Sequence, residues 1–155
     1  MTAARTLIAG FGNVLRGDDG FGVVVIHRLR EEEIESEEIE ILEVGTAGLR
    51  LAQELLTPRD RLIVVDAMTR DGPPGSVYVL AVDAVEAAAA VDVDMHLAVP
   101  SRALALAKAL GALPPRIFLV GCEPAEVDEL TTELSPRVRE AVDTAIRHIR
   151  ELLLS

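Results

Sequence analysis

The chain has 155 residues, half of them hydrophobic but only 3% aromatic, so its core has to be built from Val, Leu, Ile and Ala, which suit a buried parallel sheet flanked by helices. Fifteen basic against 26 acidic residues give a net charge of −11, which repels polyphosphate backbones and argues against a nucleic-acid partner. A single cysteine, Cys122, excludes an intramolecular disulfide and a multi-cysteine zinc site, and no run approaches the ~18 apolar residues of a membrane span. The expectations are therefore a single domain over residues 1–155, a cytoplasmic location, no membrane association and a monomer.

Residues 6–10 read as a first strand, and the segment from Gly20 to about Arg30 has the Val24, Val25, Arg28, Leu29 rhythm of a helix packed on it. Seven glutamates among residues 31–40 make a solvated connection, after which Ile39-Glu40-Ile41-Leu42-Glu43-Val44 alternates as a second strand. Gly45-Thr46-Ala47-Gly48 turns the chain into a short amphipathic helix carrying Leu49, Ala52, Leu55 and Leu56, which Pro58 stops. The unbroken apolar run at residues 61–66 is a third strand, expected at the centre of the sheet.

Gly72-Pro73-Pro74-Gly75 forces a turn before Ser76-Val77-Tyr78-Val79-Leu80-Ala81, and a return this short, with no helix between, predicts an antiparallel edge strand. Residues 83–95 give no firm pattern. A helix starting at Pro100-Ser101 and running through Leu110 leads to a strand at residues 117–121. Ser135 as N-cap, Pro136 at the first helical position and the stripe from Val138 to Leu153 describe a long docked final helix. Together these predict a three-layer α/β sandwich: a mostly parallel five-stranded sheet with one antiparallel edge strand and helices on both faces.

Ligands of such sheets bind outside the carboxyl ends of the strands, which is where Asp66 closes the third strand and Asp18-Asp19 closes the glycine-punctuated segment after the first. Gly10-Phe11-Gly12 does not extend to a dinucleotide fingerprint, because Leu15 occupies the third glycine position and two carboxylates stand where a pyrophosphate needs bare N–H groups. Asp18 suits a helix N-cap, which leaves Asp19 to face the crevice. Of the three histidines, His27 and His148 fall on helices, whereas His96 falls in a loop, where binding residues concentrate. Two carboxylates and one imidazole suit a borderline divalent ion such as nickel or zinc. Cys122, at the end of an apolar strand, reads as a small packed hydrophobe, and the serine-hydrolase elbow and the His-Glu-x-x-His helix are both absent.

Over essentially its whole length the chain resembles the nickel-iron hydrogenase maturation proteases, endopeptidases that remove a C-terminal extension from the hydrogenase large subunit. The resemblance is carried by Gly10-Phe11-Gly12-Asn13-Val14-Leu15-Arg16-Gly17-Asp18-Asp19-Gly20-Phe21-Gly22, then Gly45-Thr46-Ala47-Gly48, then Val65-Asp66-Ala67, with an echo in Leu119-Val120-Gly121-Cys122-Glu123-Pro124 and Leu134-Ser135-Pro136. Glu43-Val44 stands where related sequences often carry Asp-Gly. The resemblance implies that Asp19, Asp66 and His96 are the catalytic and metal-binding residues. It also implies that the cation is nickel carried by the large-subunit precursor, other divalent ions fitting the same donors. A nickel-sensing chaperone that does not cut, and a nucleotide-binding enzyme, are the alternative expectations.

Overall fold

The computed structural model describes residues 5–82, 98–125 and 130–155. In chain order the elements are β1 (Thr6–Phe11), a 3-10 turn (Gly17–Gly20), α1 (Phe21–Glu31), β2 (Ile39–Gly45), α2 (Gly48–Glu54), β3 (Arg61–Ala67), β4 (Val77–Val82), α3 (Ala98–Ala109), β5 (Arg116–Cys122) and α4 (Pro136–Leu153). The strands form one sheet in the order β2-β1-β3-β5-β4. All neighbours are parallel except β4, which runs antiparallel to β5 at the edge.

Side chains alternate across each strand, and this sorts the core into two layers. Ile8 of β1 and Ile63 and Val65 of β3 face α1 and α4, packing with Val25, Ile26, Val142 and Ile146. Leu7 and Ala9 of β1 and Leu62 and Val64 of β3 face the opposite way, towards Leu51 of α2 and Ala103, Leu104 and Ala107 of α3. β3 is buried along its whole length, as an inner strand covered on both faces must be. The expected architecture is present.

The last helix begins as its sequence dictates, with Ser135 at the N-cap and Pro136 in the first turn. Its Val138, Val142, Ile146 and Ile149 are buried, each side chain stabilising the fold by about 1.5–3 kcal/mol. At the end of the sheet remote from Asp66, buried Arg61 donates through Nε to Thr6 Oγ1 at 3.0 Å and through Nη1 to the carbonyl of Leu152, fastening the end of α4. On the outer edge of β2, Arg30 donates to the carbonyl of Ile41 and Arg50 to that of Glu43, each at 3.3 Å.

Two local expectations change. The short helix was expected to bury Leu49 and Leu56, but these are 60% and 59% exposed, and its inward face is Leu51, Ala52 and Leu55. α3 starts at Ala98, so Pro100 lies inside its first turn rather than at its start. A proline fits there because the first four N–H groups of a helix have no intrahelical acceptor to lose. The unread stretch 83–95 lies outside the described residues.

Candidate active site

The chain leaves β1 through Gly12, whose φ of +132° and lack of a side chain are both required. A Cβ there would lie 2.0 Å from the carbonyl oxygen of Asp19. The 3-10 turn carrying Asp18 and Asp19 can therefore fold directly back on the strand end. Gly22 does the same for the start of α1, where a Cβ would meet the carbonyl oxygens of Phe11 and Val65 at 2.3 Å each. These two close approaches bring the acidic turn to the carboxyl end of β3.

Asp19 is half-buried, and its Oδ2 accepts the N–H of Asn13 at 3.1 Å. Asn13 Oδ1 in turn accepts the N–H of Leu15 at 2.9 Å, which curls the loop around the carboxylate. Asp66 is almost wholly buried, and its Oδ1 takes the N–H of Ala67 at 2.8 Å. Burial holds the Asp66 carboxyl well above the usual carboxylate range, the negative charge of Asp19 pushes it further, and the Ala67 N–H offsets part of the rise. Asp19 and Asp66 are thus close enough to repel one another at the strand exits. His96 lies outside the described residues, and among those described no group of three or more His, Cys, Asp or Glu side chains could hold a metal ion.

Asp18 departs from the capping expectation. Neither the 3-10 turn nor α1 has a side-chain cap. Instead its buried carboxylate reaches across the fold, accepting the N–H of Ala125 at 2.8 Å, the N–H of Ser135 at 2.7 Å and the hydroxyl of Ser135 at 2.8 Å. The same turn is tied to residue 131: Gly17 donates to the carbonyl of Thr131 at 2.7 Å, and Thr131 donates to that of Leu15 at 3.0 Å. Ser135 keeps its N-cap position, but its hydroxyl serves Asp18 rather than the helix.

Glu123 received no role from the sequence, although an acid directly after an apolar strand is a signal in itself. It is buried, and its Oε1 accepts the N–H groups of Arg70 and Gly72 at 2.8 and 2.9 Å and the hydroxyl of Tyr78 at 2.8 Å. It thereby fixes the chain that follows Asp66. Cys122 is fully buried, and burial together with the nearby charges of Asp18 and Glu123 pushes its thiol up to about 12, so it is no nucleophile. His27 of α1 pairs with Glu43 of β2, and His148 of α4 with Glu151 of the same helix.

The two carboxyl groups thus stand at adjoining strand exits, each held by a main-chain N–H, with like charges facing one another and burial opposing their joint ionisation. The family model described as hydrogenase maturation protease matches residues 23–152. The hydrogenase expression/formation protein HupD of Rhizobium leguminosarum bv. viciae is 34% identical over 153 residues, 96% of this chain and 75% of that protein. Among solved structures, the hydrogenase maturating endopeptidase HybD from E. coli superposes with a TM-score of 0.82 at 29% identity, over 96% of this chain and 91% of that one. The [NiFe] hydrogenase maturation protease HybD from Thermococcus kodakarensis gives a TM-score of 0.80 at 28% identity, over 96% and 99% of the two chains.

Proposed function

The chain belongs to the hydrogenase maturation protease family, and from that premise we propose that it is an endopeptidase that trims the C-terminal extension from a nickel-iron hydrogenase large-subunit precursor. Nickel already seated in the precursor is the recognition signal in this reading, so the metal belongs to the substrate. Asp19 and Asp66 meet it, and His96 supplies the third ligand. The bound ion then contributes Lewis acidity towards the scissile carbonyl.

The observation that carries the proposal is the burial of Asp66 at the end of β3, beside Asp19. A carboxyl buried at a strand exit beside a second carboxylate resists ionisation, and a divalent cation arriving between them removes both penalties at once. The site therefore has a built-in preference for a metal-bearing partner over a bare one. Asn13 and Ala67 hold the two carboxylates by main-chain N–H groups, so cation binding requires little rearrangement of the carboxylates themselves.

The test incubates the protein with nickel-loaded and nickel-free precursor and weighs the products. Loss of the tail mass only from the loaded sample is expected, and Asp19→Asn or Asp66→Asn should abolish it while the circular dichroism spectrum stays native. A stable uncut complex with loaded precursor, or equal clipping of the nickel-free form, refutes the reading.

A further inference from the structure

A groove of about 260 Å³ opens between α2 and α3, lined by Thr46, Gly48, Leu49, Arg102, Ala103 and Leu106. It starts at the same rim as the carboxylates. Gly12, at the root of the Asp19 turn, donates its N–H to the carbonyl of Gly45 at 2.9 Å, and Thr46 is the next residue. Strand alternation also puts Asp66 in step with Leu62 and Val64, which face α2 and α3. The groove is thus a continuation of the candidate active site along one face of the sheet.

Its chemistry is two-sided. Leu49 and Leu106 leave 60% and 40% of their surface in water, while Ala103 forms a small buried floor. Two half-exposed leucines flanking a depression lose apolar surface to water only when something is laid between them. Arg102 is exposed and, among the described residues, makes no ion pair or hydrogen bond. In a chain of net charge −11, an exposed arginine that has no partner among the described residues and stands beside an apolar groove is complementary to a carboxylate brought by a ligand.

We propose that this groove seats an extended segment of the precursor carrying an acidic side chain next to an apolar one, the carboxylate pairing with Arg102 and the apolar side chain lying over Ala103 between Leu49 and Leu106. The proposal rests on the precursor-processing reading above and adds how the peptide is held. The two carboxylates recognise the metal, and the groove recognises sequence. Because the groove acts on docking rather than on the bond that breaks, it governs KM and leaves kcat alone.

The experiment compares full-length wild-type protein with Arg102→Glu and Leu49→Asp, both at exposed positions, with circular dichroism confirming the fold. Association with immobilised nickel-loaded precursor is read alongside tail release by mass, so that binding is scored whether or not cutting occurs. Arg102→Glu should weaken binding and raise KM about tenfold with kcat within about twofold, and Leu49→Asp should act in the same direction. The Arg102→Glu defect should vanish against a precursor whose acidic residues near the cut are changed to Asn or Gln. Unchanged binding in both variants overturns the groove assignment even where the tail is released normally. A defect that persists with the neutralised precursor places the carboxylate elsewhere, such as the chain terminus, and overturns it too. Tight, Arg102-dependent binding without tail release upholds the groove and sinks only the protease reading.

Discussion

Two adjacent aspartates, Asp18 and Asp19, should respond to mutation in opposite ways. Asp18→Ala removes the acceptor for three donors, the N–H of Ala125 and the N–H and hydroxyl of Ser135, all within 2.7–2.8 Å of a carboxylate that is 2% exposed. Hydrogen bonds to a charged group contribute about 1.5–3 kcal/mol each, and the low end applies because water enters the space that the side chain leaves. Three such bonds give a loss of roughly 4.5 kcal/mol. For a domain of this size each kcal/mol lowers Tm by roughly 2–4 °C, so the variant should melt about 9–18 °C below wild type. Asp19→Ala loses one acceptor at 3.1 Å on a half-buried side chain and should cost about 1 kcal/mol while ending processing. Urea and thermal unfolding of both variants decide the matter. An Asp18→Ala penalty below about 1.5 kcal/mol, or one equal to that of Asp19→Ala, refutes the assignment of Asp18 as the clasp.

Gly22→Ala should cost about 3 kcal/mol or more by urea unfolding, because its Cβ would stand 2.3 Å from two strand carbonyls and α1 would have to lift off the sheet; a near-neutral effect would show that the helix can move freely. Asp66 gives a pH dependence whose sign is fixed by its environment. Its folded-state proton affinity lies above the ordinary value of 3.8, so its contribution to stability is complete below that value and is lost as pH rises through the raised one. Asp66→Asn should therefore gain stability relative to wild type progressively across that window, and a difference that stays flat with pH in parallel unfolding series would contradict it.

The parts of this fold that a sequence can express are those whose cause is local. β3 announces its central place by an uninterrupted apolar run, and α4 by a cap, a proline and a stripe, all within one element. The shared position of Asp19 and Asp66 was legible because strand exits of a parallel sheet lie on one rim whatever the loops do. Asp18 was misread for the converse reason. A local pattern offers helix capping, whereas its real partner Ser135 lies 117 residues away, and nothing in the pattern near either residue points to the other. The exposure of Leu49 is of the same kind: the helical period names two possible inward faces, and only the position of α3 chooses between them. Glu123 could have been suspected from its place after an apolar strand, but the donors Arg70, Gly72 and Tyr78 come from a loop and from the neighbouring strand.

The guanidinium groups of Arg30 and Arg50, bonded to the outward carbonyls of Ile41 and Glu43, occupy the hydrogen-bonding positions that an incoming strand would need. This flank of the molecule consequently rejects β-augmentation, and a guest polypeptide cannot zip onto it through its main chain. On this side of the sheet, any polypeptide that approaches β2 has to be held through side chains rather than through a shared main-chain ladder.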